Sequence, residues 1–198
     1  AIENSEKIAK NILKSSMQKY TDTSSVEKKD AKIIVHRDEA KAVVVGRNAE
    51  NILLFEELLD VDVVFNDEPK TIVVSTFDLL RKNVARIAME KLVKMRRVGE
   101  KEIKHAIKEA KKIIEKDLVE VGKKAVKKMG FKRKFDPELI KIIGRLKYRT
   151  SYGQNILLHS FEVASMAELL AGELGLDAEK VKIAAFFHDI GKAIDQHI

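Results

Sequence analysis

The sequence predicts an α+β protein in which a small mixed unit is followed by a long helix and then by helices alone. Three observations carry this: strand and helix periodicities alternate as far as Ser75, a helical stripe runs unbroken over residues 100–129, and no strand pattern appears after Ser75. A chain of 198 residues is long enough for two small domains, each with its own core.

Taken in order, residues 2–20 space Ile2, Ile8, Ile12, Leu13 and Met17 as one face of a short amphipathic helix, and the polar run at 21–25 ends it as a linker. KIIV (32–35) then reads as a strand, Asp38 to Val45 as a helix, and Asn48 to Leu59 as a second helix. VDVVF (61–65) and TIVVS (71–75) read as strands separated by the turn chemistry of Asn66-Asp67-Glu68-Pro69. Asp78 is placed to cap a helix running to about Arg97, with Gly99 beyond it. In the next helix Ile103, Ile107, Ala110, Ile114, Leu118, Val121 and Ala125 share one stripe, which must pack on a neighbouring domain or on a second copy of the chain. Gly130 and Lys132-Arg133-Lys134 end that helix, and Asp136-Pro137 opens the last region with a cap and a first-turn proline. The expected division is 1–25 helix and linker, 26–98 mixed domain, 99–134 basic connecting helix, and 135–198 the first part of a helical domain.

Composition narrows the chemistry. With no cysteine there is neither a disulfide framework nor a thiolate metal site, so any metal must be held by His and carboxylate, and a reducing cytoplasm suits the chain. No stretch approaches the roughly 18 apolar residues of a membrane span. Charge is regional: residues 91–134 hold 17 Lys and Arg against 6 Asp and Glu, while the chain as a whole carries +7. A basic stripe of this kind either meets a polyanion or is a solvated lysine face, and charge alone does not separate the two.

His159 by itself reads more readily as a core or surface residue than as a ligand. His188-Asp189 is more informative, because imidazole and carboxylate are donors for Mn, Mg, Fe or Zn and the pair directly follows the apolar run at 183–187. A carboxylate placed there needs a partner, and a cation supplies one. Gly191 allows a sharp turn, and Lys192 offers charge to a substrate phosphate. In RTSYGQN (149–155), Arg149 and Gln154 could contact phosphate or base and Tyr152 could stack on a base, while Thr150 or Ser151 could cap the helix carrying His159.

KAVVVGRNAEN (41–51) resembles the KH domain of the ribonuclease Y family, in which a GxxG loop joins two helices and lets the backbone approach nucleic-acid phosphates. Lys41, Gly46, Arg47 and Asn48 are the RNA-contacting positions that this resemblance implies. Ala49 stands where the second glycine belongs, and Val43 and Glu50 occupy positions that are commonly basic. The resemblance therefore implies the KH-like fold more firmly than phosphate binding.

LKYRTSYGQNILLHS (146–160) and FFHDIGKA (186–193) are similar to the corresponding segments of the same family, so the resemblance runs from Lys32 to Ala193. It implies an HD-type phosphohydrolase domain with His159, His188 and Asp189 as metal ligands, and with His188, Asp189 and Lys192 at the reacting centre. It also implies a further Asp ligand well downstream; Asp195 and His197 lie too close to the motif to serve. The chain is expected to be a piece of a longer protein, weak in metal binding and poor in catalysis on its own.

The implied function is a metal-dependent endoribonuclease acting on single-stranded RNA, with Mn, Mg or Zn as cofactor and a homo-oligomer, a dimer, as its assembly. The family's membrane anchor and coiled coil are absent apart from a remnant at 1–20, so the expected location is the cytoplasm, with the parent family at the inner face of the membrane. An HD phosphohydrolase acting on a small cyclic nucleotide and a non-catalytic RNA-binding or assembly module are the alternatives.

Overall fold

The computed structural model describes residues 30–35, 37–65 and 70–194. The expected helix at 2–20, the linker at 21–25, the turn at 66–69, and Asp195 and His197 lie outside the described residues.

β1 (Asp30–Ile34) and β3 (Thr71–Ser75) pair antiparallel with Ile33 opposite Ile72, and β2 (Asp62–Val64) pairs with the other edge of β3, giving the order β1-β3-β2. Alternation aims Ile33, Val35, Ile72 and Val74 into a core, while Lys32 and Ile34 stay exposed on the opposite face. Three helices cover the buried face: α1 (Asp38–Val45), α2 (Glu50–Leu59) and α3 (Leu79–Leu92), contributing Val44, Phe55 and Met89 among others. Asp78 caps α3 as the sequence predicts, its Oδ1 accepting from the backbone N–H groups of Leu80 and Arg81 at 2.8 and 3.2 Å.

Two expected bounds shift here. α2 begins at Glu50 rather than Asn48, because Asn48 and Ala49 adopt left-handed backbone (φ 51° and 63°) that no helix continues. α3 stops at Leu92 rather than near Arg97, because side chains claim the carbonyls that follow. The Arg37 guanidinium donates to Val93 O (3.2 Å) and Met95 O (2.7 Å), and the Asn51 amide donates to Val98 O (3.1 Å).

α4 (Glu100–Met129) is a single helix of 30 residues, roughly 45 Å long. Glu102 reaches back to the Gly99 N–H (3.1 Å) to start it, and Gly130 ends it in left-handed backbone (φ 67°). Its stripe serves two cores in turn. Ile103, Ala106, Ile107, Ala110, Ile114 and Leu118 complete the sheet-and-helix core, and Ala125 and Met129 enter a second core with Ile143, Leu146, Ile156, Leu157 and Phe186. Val121 from the expected stripe is only half-buried.

α5 (Pro137–Arg145) starts at an Asp136 cap with Pro137 in its first turn, and packs along α4. A single 3-10 turn, Leu146–Tyr148, leads into a two-residue hairpin, β4 (Thr150–Ser151) and β5 (Gln154–Asn155), then α6 (Ile156–Glu173) and α7 (Ala178–Phe187). The hairpin overturns the expectation of helices alone after Ser75. Its turn places Tyr152 and Gly153 at φ 51° and 80°, the paired positive values that a two-residue hairpin loop of the I′ kind requires. The α6 cap is also different from that expected: Asn155, not Thr150 or Ser151, accepts from the Leu158 N–H at 3.2 Å.

Candidate metal centre

α6 and α7 pack against each other, which sets His159, one turn into α6, beside the residues that end α7. The aromatic rings beneath fix that end: Phe186 is fully buried, edge-on to Phe131 at 5.3 Å and near Phe161 at 5.9 Å. With Phe186 anchored, the chain leaves α7 at His188 and turns through Asp189 (φ −108°, ψ 13°) into a short 3-10 turn, Ile190–Ala193. Gly191 lies within that turn without positive φ, so the sharp bend expected of it is not the role it plays.

His159, His188 and Asp189 each offer a ligand atom, and these atoms all lie within 4.8 Å of one another. Asp189 Oδ2 is the focus, 3.4 Å from His188 Nε2, 4.0 Å from His159 Nε2 and 2.9 Å from the ammonium of Lys192. The two imidazoles meet edge-on, 5.2 Å between centroids. His188 Nδ1 is 2.7 Å from the Ala185 carbonyl. A carbonyl only accepts, so Nδ1 carries a proton and donates, and Nε2, on the Asp189 side, is the nitrogen left to serve as a ligand. Burial pushes the Asp189 carboxyl upward, but the hydrogen bond from Lys192 and the charges of His188, Lys192 and His159 outweigh it and hold the group below its ordinary value of 3.8. The donor set is two nitrogens and one carboxylate oxygen, which fits a divalent cation of the Mn, Fe or Zn type and leaves coordination positions open.

The structure thus brings together four of the residues singled out in the sequence. Lys192, expected to meet a substrate phosphate, donates to Asp189 Oδ2. The remaining candidates stand elsewhere. Gly46 (φ 76°) and Asn48 (φ 51°) form the turn between α1 and α2, with Arg47 and Asn48 exposed and Lys41 half-buried on α1. Tyr152 is fully exposed at the hairpin tip and Arg149 is half-buried before it. Gln154 donates its amide to Glu162 at 3.1 Å, which ties the hairpin to α6. Sequence reasoning assigned no role to Asn51, whose amide bonds Val43 O (3.3 Å) and Val98 O and whose side chain fills the space beside Gly46. It lies within the segment 41–51, and the signal available was a polar residue at a buried helical position.

A helical bundle segment carrying a His from one helix and a His-Asp pair at the end of another defines the HD class, and a family model for the HD domain matches residues 156–198. The whole chain also aligns with ribonuclease Y from Listeria welshimeri at 42% identity, from Thermoanaerobacter pseudethanolicus at 40% and from Desulforamulus reducens at 39%, each over 198 residues. The chain belongs to the ribonuclease Y family. It spans 38% to 39% of the length of these relatives. No solved structure matches it.

Proposed function

We propose that the chain carries metal ligands of an RNA-hydrolysing HD centre, preceded by a KH-like RNA-binding unit. The observation that carries this reading is the convergence of His159 Nε2, His188 Nε2 and Asp189 Oδ2 on one point in a chain of the ribonuclease Y family. The element order of residues 26–98 and the order β1-β3-β2 support the KH-like assignment, with α4 as the connection over 99–134 and the HD unit at 135–198. The substrate is single-stranded RNA and the cofactor is Mn, Mg or Zn.

A divalent cation bound there supplies a Lewis acid for a phosphoryl oxygen and lowers the pKa of a bound water toward neutrality. The residues of the chain do the rest. The Ala185 carbonyl fixes the His188 ring and its tautomer, and Lys192 holds Asp189 ionised and oriented. A cation held by His159, His188 and Asp189 would leave the Lys192 ammonium available to the phosphate charge it was expected to meet. Arg149, just before β4, and the exposed Tyr152 in the hairpin turn guide the RNA strand in this reading. Three donors, one of them shared with an ammonium, give weak metal binding and slow turnover in the 198-residue chain.

The test has two parts. Calorimetric titration of Mn(II) into the chain is expected to show one weak site that His188→Ala and Asp189→Ala both remove. A chimera in which the chain replaces its matching segment of the Listeria welshimeri relative is expected to cleave single-stranded RNA in an EDTA-sensitive way. Cleavage that survives His188→Ala in that chimera would overturn the reading.

A further inference from the structure

We propose that the groove between α2, α3, α4 and α5 binds a nucleotide unit, its phosphate on Arg145, Lys111 and Lys141 and its base against Leu58, Leu80 and Val84. This goes beyond the metal centre, since no residue lining the groove comes from α6 or α7.

The groove is a cavity of about 490 Å³, within the range of pockets that hold small ligands. Its apolar walls come from the sheet-and-helix core, with Leu58, Leu80 and Val84 on one side and Ile114 and Leu118 of α4 at its base. Set into this apolar lining is Arg145, whose Nε is sealed from solvent and has no hydrogen-bond partner among the described residues. A buried, unsatisfied guanidinium nitrogen is costly, and because this one is sealed, a ligand in the groove meets Arg145 through its other guanidinium nitrogens. The planar fork of arginine matches a phosphate in bidentate geometry.

Two further cations stand ready. Lys141 is held only loosely by the exposed Glu115, at 3.6 Å, and Lys111 is exposed without a partner among the described residues. Arg81 is committed to Asp60 and Asp78, so it serves as wall rather than ligand. The apolar side selects a flat, weakly polar group beside the anion, which describes a nucleobase rather than an acidic side chain. Two adjoining hollows extend the groove along α4 and share Lys111, Lys112, Lys141 and Glu115 with one another or with it, so a strand has a basic path on from the pocket. The nucleotide unit can therefore be one residue of an RNA strand or a free mononucleotide.

Binding of AMP, followed by calorimetry, and of a short labelled oligoadenylate, followed by anisotropy, distinguishes these sources. Both are measured with EDTA, so the outcome is independent of the metal centre. Arg145→Gln is expected to weaken binding by about ten-fold or more and the exposed Lys111→Gln by about three-fold. Loss of AMP binding in the variants assigns a free nucleotide, and loss of oligoadenylate binding alone assigns a strand. Lys111→Gln keeps the test valid if Arg145→Gln fails to fold, which circular dichroism reports. Absence of binding, affinities unchanged in both variants, or equal displacement by polyglutamate would overturn the proposal.

Discussion

Gly122 of α4 lies against the backbone carbonyl of Ile140 in α5 so closely that a Cβ built on it would stand 1.9 Å from the oxygen. Gly144 of α5 returns the contact, its own Cβ position 1.9 Å from the Leu118 carbonyl of α4. The two glycines let the backbones of antiparallel helices touch, where Cα–H groups meet carbonyl oxygens. This contact joins the long basic helix to the unit that bears the candidate metal ligands.

Alanine at either position gains about 1 kcal/mol of helix propensity but forces the helices apart. Gly122→Ala and Gly144→Ala are each expected to destabilise the chain by about 2 to 3 kcal/mol net. Gly172 in α6 has nothing within 4 Å of its Cβ position, so Gly172→Ala is expected to stabilise by about 0.5 to 1 kcal/mol. Urea denaturation of the three variants checks the contrast, and equal effects would remove the close-approach argument.

The turn between α1 and α2 offers a second contrast. Gly46 has φ 76° and ψ −178°, a region nearly closed to other residues, and a Cβ there would meet the Asn51 amide nitrogen at 2.7 Å. Ala49, by comparison, holds a left-handed conformation (φ 63°) despite its Cβ. Ala49→Gly is expected to raise stability by about 0.5 to 1 kcal/mol, and Gly46→Ala to lower it by about 2 kcal/mol or more. If the turn contacts phosphate, Ala49→Gly also tightens RNA binding, read by the same anisotropy titration.

What the sequence made legible follows from the length of its patterns. α4 was readable because seven apolar positions repeat over the 23 residues from Ile103 to Ala125, and the Asp78 and Asp136 caps because a side chain with one local task announces itself. His188-Asp189 was readable as a motif, while its pairing with His159 came from resemblance and stands in the geometry. The β4–β5 hairpin was not readable, since two-residue strands fall below any periodicity window. Neither was the Arg145 groove nor the Gly122–Gly144 contact, because both depend on which residues distant helices bring face to face.

Asp117 of α4 accepts from the Tyr148 hydroxyl at 2.6 Å and from Lys147 at 2.9 Å, tying the turn before the hairpin to the long helix. Partial burial pushes its carboxyl up, but these two donors prevail and hold it below 3.8. A carboxylate lowered on folding contributes stability above its unfolded value and loses that contribution as pH falls through the folded value. Tyr148→Phe is therefore expected to cost about 1 kcal/mol at neutral pH, small because Asp117 is a third exposed, and the deficit should shrink as pH falls below 3.8. Thermal melts of both proteins across that range test it, and a deficit independent of pH would point to packing alone.

The last prediction concerns the ammonium that shares the candidate metal ligand. Lys192 Nζ lies 2.9 Å from Asp189 Oδ2, the oxygen that faces both histidines. An arriving divalent cation must displace this ammonium or bear its repulsion, so the lysine opposes metal binding even as it keeps the carboxylate ionised. Lys192→Met removes the repulsion. Burial then lets the Asp189 carboxyl rise from its lowered value, but it starts below 3.8 and stays charged at neutral pH. Mn(II) affinity at pH 7 is thus expected to increase by about three-fold to ten-fold, whereas RNA turnover in the chimera falls because the phosphate loses its cation. A drop in Mn(II) affinity would assign Lys192 to positioning Asp189 and remove it from contact with substrate.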